Sequence, residues 1–215
     1  MKEEKRCTRR GVRLCLRLAV GLGTLLAIVL TGWCSFGRVC AHIRSQTLRL
    51  HVLANSDAPE DQQLKLQVRD ALVQQCAALF DGADTLAEAQ ARAVQAMAQL
   101  QQTAEAVVRQ AGYDYPVSLR LTDRYFDTRT YEEYTLPAGR YRALQVQLGA
   151  GEGHNWWCVL FPPLCIPAAR ADGSARQRET AETVWGPGGV RLATGGYEVR
   201  FALLEWLEHW KEEKS

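Results

Sequence analysis

The chain has 215 residues, of which 47% are hydrophobic and 23% are charged, proportions that are ordinary for a globular protein. Residues 1–41 carry eight Lys and Arg against two Glu, whereas the remainder has 18 basic and 22 acidic residues. Because the basic residues are concentrated at the start and the rest is mildly acidic, the composition argues against nucleic-acid binding.

The amino-terminal segment predicts membrane targeting. Residues 18–37 contain no charge, and twenty helical residues span about 30 Å, the thickness of the hydrocarbon layer. The basic flank before them should stay in the cytoplasm, which places the rest of the chain on the far side. We therefore interpret residues 1–41 as a cytoplasmic flank followed by a signal peptide, with a cleavage site near Val39-Cys40-Ala41, or by an uncleaved signal anchor.

A strand and two helices are predicted next. Leu48–Ala54 alternates in the manner of a strand. Asp57 with Glu60 three residues later indicates a capping box for a helix that ends near Phe80. A second box, Thr85-x-x-Glu88, opens a long helix to about Gln110, which Gly112 should terminate.

The following block is rich in strand signals. A turn is predicted at Leu136–Gly139, and Trp156–Phe161 is a continuous apolar run typical of a central buried strand. The other predicted strands are Val117–Leu121, Arg124–Tyr134 with a bend, and Arg140–Leu148.

These elements predict an α+β fold. Residues 42–167 should form one compact domain, with an antiparallel or mixed sheet of about 4–5 strands packed by two helices. Residues 168–190 are Arg-, Ala- and Gly-rich and are interpreted as a mobile linker. Residues 191–215 should return as a strand and a C-terminal helix that pack on the domain.

Long strings of the chain resemble the stage II sporulation protein R family of endospore-forming bacteria. They cover nearly the whole predicted domain and are more specific than a short motif. The strings are RLHVLANSDAPEDQQLKLQVRDAL (Arg49–Leu72), GYDYPVSLRL (Gly112–Leu121), YFDTRTYEEYTLPAGRYRALQVQLGAGEGHNWWCVLFPPLC (Tyr125–Cys165) and YEVRFALLEWLE (Tyr197–Glu208).

The resemblance implies a signalling role without a cofactor or a small-molecule substrate. Members of the family are made in the forespore and exported into the space between the two sporangial membranes. There they trigger a membrane-embedded aspartic protease of the mother cell, which processes the precursor of sigma-E. The implied role is that of an activator, so the proteolytic chemistry belongs to the partner and the chain itself is not expected to be an enzyme.

An enzymatic function would depend on the histidines and on Cys158. The four histidines show no metal-ligand spacing. Cys158 with His51 or His154 could form a nucleophile pair, although its apolar surroundings favour a structural sulfur. A secreted cell-wall or peptide hydrolase therefore remains the alternative function, and a structural tether between the two membranes is a third hypothesis.

Aromatic and arginine side chains in the β-rich block are the expected anchors for partner contact, together with polar residues of the first strand-to-helix turn. Strand alternation predicts that one of the two adjacent tryptophans is exposed. Cys158 and Cys165 could form a disulfide or remain two buried thiols. The candidates for contact are Asn55, Asp57, Arg124, Tyr125, Arg129, Trp156, Trp157 and Phe161.

Overall fold

A computed structural model of the protein describes residues 2–131, 133–165 and 173–195, with side chains from residue 14 in the first range and residue 177 in the last. The chain divides into two compact units, Met1–Ala41 and His42–Ser215. The predicted strand and helix after residue 195 lie outside the described residues, as do residues 166–172.

Helix α1 spans Lys2–Ser45 and forms most of the first unit. Within Leu14–Ser45 an 18-residue window has a mean hydropathy of 2.2, and none of that window is buried in protein. This helix is long and apolar enough to cross a membrane, and a signal sequence near the amino terminus has the same features.

The second unit is built on a mixed four-stranded sheet of order β2-β5-β1-β6. β1 runs parallel to β5 and antiparallel to β6, and β2 pairs antiparallel with β5. A separate two-stranded hairpin joins β3 and β4. The strands are β1 (Leu48–Leu53), β2 (Val117–Phe126), β3 (Arg129–Tyr131), β4 (Tyr134–Leu136), β5 (Gly139–Leu148) and β6 (Asn155–Phe161). The predicted α+β class is confirmed.

Three helices lie along one face of this sheet: α2 (Pro59–Leu79), α3 (Leu86–Gln95) and α4 (Met97–Gln110). Alternate strand residues point toward them, because side chains on a strand alternate between faces. The residues buried between the sheet and the helices include Leu50, Val52, Leu144 and Val146 from the strands and Leu64, Val68, Leu72 and Leu100 from the helices. Each such side chain contributes about 1.5–3 kcal/mol of burial free energy.

The helix starts test the two predicted capping boxes. Thr85 accepts a hydrogen bond from the backbone N–H of Glu88, as predicted. The first box is wrong: Ala58 occupies the N-cap of α2, and no side chain that the structure describes caps that helix. The carboxylate of Asp57 instead accepts the backbone N–H of His154 at 2.6 Å, in a loop distant in sequence.

The long second helix is broken at Ala96, which separates α3 from α4. Neither Gly nor Pro marks this position, and the apolar spacing continues through the break. The sequence therefore predicts one continuous helix. Gly112 follows α4 with φ of 85°, a conformation that favours glycine, and ends the helix as predicted.

Strand β6 is an edge strand among the described strands, which corrects its predicted central position. Its second half is nonetheless buried, since Cys158, Val159, Leu160 and Phe161 are each at most 4% exposed. A continuous apolar run therefore reports burial on both faces of the sheet rather than a place in the middle of the strand order.

Helix α5 (Gly173–Thr194) corrects the prediction of a mobile linker over residues 168–190 wherever that range is described. A kink at Gly186, where φ is 69°, interrupts it just before Pro187. Trp185 is buried and donates its indole N–H to the Thr47 hydroxyl at 3.1 Å. Val184, Val190 and Leu192 are buried as well. The sequence Gly-Pro-Gly-Gly at 186–189 separates these apolar residues into two short groups, so the helical pattern is weak and the sequence did not predict this helix.

Candidate functional site

The sheet face opposite helices α2–α4 carries polar and aromatic side chains. His51 of β1 lies in register with Gln145 of β5 and Trp157 of β6, and Arg120 of β2 lies opposite Gln145. Paired residues in neighbouring strands point to the same face. We call the group formed by Arg120, Arg124, Gln145, His51 and Trp157 the arginine face.

One amide oxygen organises the two arginines. Gln145 Oε1 accepts hydrogen bonds from Arg120 Nε at 3.1 Å and from Arg124 Nε and Nη2 at 3.2 and 3.0 Å. The amide side chain is only 3% exposed, whereas both arginines are exposed. Gln145 therefore holds two cations side by side at the surface.

His51 and Trp157 form an aromatic stack beside the arginines. Their ring centroids are 3.9 Å apart with an interplanar angle of 12°, and His51 Nε2 is 3.0 Å from Asn155 Oδ1. Burial lowers the pKa of His51; the hydrogen bond with Asn155 opposes this shift and Arg124 reinforces it. The imidazole is therefore mainly neutral near pH 7, and the positive charge that the arginine face exposes to solvent comes from Arg120 and Arg124.

Arg49, next but one to His51 on β1, is fully buried on the same face. Its guanidinium carbon lies 3.9 Å from the ring centre of Phe126 and 4.8 Å from that of Tyr141, and Nη2 donates to the Tyr131 hydroxyl. Nε and Nη1 have no hydrogen-bond partner among the described residues. Burial lowers the pKa of Arg49 despite these aromatic neighbours. Cation–π contact is thus the main compensation for burying this charge.

The Asn55–Asp57 turn at the end of β1 is tied to the loop before β6. Asn55 Nδ2 donates to Asp61 Oδ2 at 2.9 Å, and Asn55 Oδ1 accepts the backbone N–H of Ala150 at 3.0 Å. Ser56 Oγ donates to the same Asp61 oxygen at 2.5 Å. Burial would raise the pKa of Asp61, but the hydrogen bonds from Ser56 and Asn55 outweigh it and hold that pKa below its usual value.

The same loop is held by His154. Its ring Nδ1 is 2.5 Å from Asp57 Oδ1, and its backbone carbonyl accepts a hydrogen bond from the buried ammonium of Lys65 at 2.9 Å. Burial lowers the pKa of Lys65, and the charge of Asp57 partly offsets this effect. Asn55 and Asp57 therefore have an evident structural role at this junction.

The structure distributes the predicted contact residues over several surfaces. Arg124 and Trp157 share the arginine face, and Arg129 is exposed on β3. Tyr125 is half-buried on the opposite face of β2, because it alternates with Arg124. Phe161 is 1% exposed and belongs to the core.

The two adjacent tryptophans correct the prediction that one of them is exposed, since both are half-buried. Alternation does place them on opposite faces, but each ring has its own cover. His51 stacks on Trp157, and the guanidinium of Arg69 from α2 lies 4.4 Å from the ring centre of Trp156.

Three members of the arginine face were not selected from the sequence: Arg120, Gln145 and His51. Arg120 and Arg124 are four positions apart on one strand, and because this is a multiple of the strand period of two, it was a usable signal for a shared face. Assigning Gln145 and His51 to the same face depends on the register between strands that are distant in sequence. No local pattern predicts that register.

The chemistry of the other candidate groups is limited by their surroundings. Cys158 is 1% exposed and is bonded to Cys165 in a disulfide, with the two Cα atoms 6.1 Å apart. A thiolate nucleophile at Cys158 would require that bond to be broken. Within the described residues no group of three or more His, Cys, Asp and Glu side chains could hold a metal ion.

Comparison with known proteins places these features in context. The sequence model of the family Stage II sporulation protein R matches residues 44–171. The protein named Stage II sporulation protein R from Bacillus subtilis (strain 168) is 34% identical over 182 residues, covering 77% of this chain and 81% of the relative. No solved structure matches. The matched range contains every residue of the arginine face.

Proposed function

The chain belongs to the stage II sporulation protein R family, and from that membership we propose that it is an exported signal that activates a membrane-embedded aspartic protease by direct contact. Its role in sporulation follows from the family. In this proposal the chain is made in the forespore and reaches the space between the two sporangial membranes. There the protease of the mother cell, once activated, processes the precursor of sigma-E.

The observation that carries the export step is the exposed apolar helix. Its apolar window is not buried in protein, so a hydrophobic core does not account for its composition. Seven basic residues precede the uncharged stretch at 18–37 and orient the amino terminus toward the cytoplasm. The second unit would then fold on the far side of the membrane.

Activation by contact is supported by the arginine face. Arginine and tryptophan are the residues most often found to dominate the binding energy of protein interfaces. Here they lie on a rigid sheet, and the supporting Gln145 and His51 side chains are buried beneath them. Such a surface presents its anchors without a large loss of conformational entropy on binding.

The experiment is co-expression of the chain with the protease and the sigma-E precursor, scored by precursor cleavage. The substitutions Leu25→Arg and Ile28→Arg put charges into the apolar window, where each raises the free energy of membrane insertion by about 3 kcal/mol. We expect them to abolish cleavage. Cleavage by this variant at the wild-type rate would contradict the exported-signal proposal.

A matched control replaces residues 1–41 with an unrelated cleavable signal peptide. Restored cleavage is expected, because the second unit is then delivered to the same side of the membrane. The control also tests the tether hypothesis, since a released unit that still activates the protease needs no link to the membrane. Amino-terminal sequencing of the mature wild-type protein distinguishes a signal peptide from an anchor.

A further inference from the structure

Two like charges on the arginine face share a single neutral acceptor. Three N–H groups of Arg120 and Arg124 converge on Gln145 Oε1 at 3.0–3.2 Å. The two guanidinium groups repel each other, and a neutral oxygen offsets this repulsion less than a carboxylate does. Among the residues whose side chains the structure describes, none forms a salt bridge with either guanidinium. An anion is therefore the ligand that this arrangement favours.

The free donors suit a carboxylate. A guanidinium has five N–H groups in a planar fork that matches a carboxylate with two parallel hydrogen bonds. Gln145 uses one N–H of Arg120 and two of Arg124, which leaves donors on both exposed side chains. Because buried Gln145 fixes both arginines, little side-chain entropy remains to be lost on binding.

The neighbouring aromatic stack favours a peptide over a polyanionic surface. The positive charge of Arg124 acts on buried His51, and His51 stacks on the half-buried ring of Trp157. The remaining surface of that ring offers an apolar contact that suits the carbon atoms of a peptide. Anionic membranes and nucleic acids are bound by larger basic clusters, commonly of four to eight Lys and Arg for membranes. Outside residues 1–41 the chain has 18 basic and 22 acidic residues, so these two arginines are a local feature.

We infer that the arginine face binds a peptide segment bearing one or two carboxylate side chains, with Arg120 and Arg124 as the ion-pairing groups and Trp157 as the apolar contact. The inference rests on the proposed function only in naming the partner protease as the source of this acidic segment. Arg120, Gln145 and His51 thereby join Arg124 and Trp157 in a single binding site.

The test uses the full chain in nanodiscs of zwitterionic lipid and a fluorescein-labelled hexaglutamate peptide, with binding followed by fluorescence anisotropy at low salt. We expect the double variant Arg120→Gln/Arg124→Gln to bind about tenfold more weakly, since two charge-assisted contacts are lost. The matched control is Arg142→Gln. Arg142 lies on β5 but on the opposite face, paired with Asp123 at 3.4 Å, and its loss should leave peptide affinity unchanged.

Equal peptide affinity in the wild-type chain and the double variant would overturn the inference. So would stronger displacement of the peptide by glycerophosphoglycerol, the soluble headgroup of phosphatidylglycerol, than by unlabelled hexaglutamate, since the face would then prefer a lipid phosphate. If the double variant does not fold, the single variants Arg120→Gln and Arg124→Gln decide the question by the same criteria. No protease is present in this assay, so its outcome is independent of the co-expression test.

Discussion

The two faces of the four-stranded sheet are made by alternate residues of the same strands, yet they have different compositions. On β1, Leu50 and Val52 pack toward the helices, whereas Arg49 and His51 point to the other side. β5 repeats the pattern, with Leu144 and Val146 on the helix side and Gln145 on the other. A one-residue step along a strand thus separates apolar packing from polar and aromatic contacts.

This difference indicates a division of labour within one sheet. The helix-covered face is apolar and stabilises the fold by burial. The opposite face holds Arg49 by cation–π contacts and Gln145 by hydrogen bonds to two arginines. Polar contacts of this kind stabilise a core less than apolar packing does, because each requires desolvation of charged groups. Their presence favours a binding role for this face.

The largest expected effect is on the helix-covered face. Leu144→Ala removes a fully buried side chain, and we expect it to lower the free energy of unfolding by about 2–5 kcal/mol through lost burial and the cavity left behind. Urea denaturation followed by circular dichroism measures this change. A loss below about 1 kcal/mol would show that the apolar face is not the main source of stability.

Arg49→Lys sharpens the comparison from the opposite face. Lysine keeps the charge but lacks the planar group that contacts Phe126 and Tyr141 and donates to Tyr131. We expect the free energy of unfolding to fall by about 1–2 kcal/mol, a smaller loss than at Leu144. Unchanged stability in the same denaturation assay would mean that the cation–π contacts do not stabilise the fold.

The pH dependence of stability should also depend on this face. The folded-state pKa of His51 is lowered. As the pH falls through about 6.5, the pKa of histidine in the unfolded chain, the imidazole therefore binds a proton more readily in the unfolded chain than in the folded one. Stability is therefore highest above that pH and declines until the pH is below the folded-state pKa. His51→Gln should make the unfolding free energy less dependent on pH between about 7.5 and 5.5. An unchanged slope would contradict this assignment.

The smallest expected effect on stability belongs to the arginine pair. Arg120 and Arg124 are exposed, so Arg120→Gln/Arg124→Gln should change the free energy of unfolding by less than about 0.5 kcal/mol. Thermal unfolding beside the Arg142→Gln variant checks this. A large loss of stability would mean that these arginines support the fold, and that their effect on binding is indirect.

Much of the fold can be predicted from the sequence where the signals are local. Alternation identified β1, β2 and β5, and the Thr85 box and Gly112 marked two helix ends. The break at Ala96 carries no Gly or Pro, so no local signal predicted it. Helix α5 was not predicted because its apolar pattern is sparse.

The candidate site was only half predictable, for a physical reason. Arg124 and Trp157 were selected because their residue types suit interfaces. Their proximity, however, depends on pairing β1 with β5 and β6, contacts between residues about a hundred positions apart. Strand register of this range is set by the whole core and by turn geometry, so it cannot be inferred from any one segment.

The most direct test of a division between the two faces is precursor cleavage in cells that co-express the protease, the sigma-E precursor and matched variants of this chain. We predict that Arg120→Gln/Arg124→Gln loses cleavage while Arg142→Gln retains it, although both fold with wild-type stability. Full cleavage by the double variant, or equal loss in both, would contradict the assignment of partner contact to the arginine face.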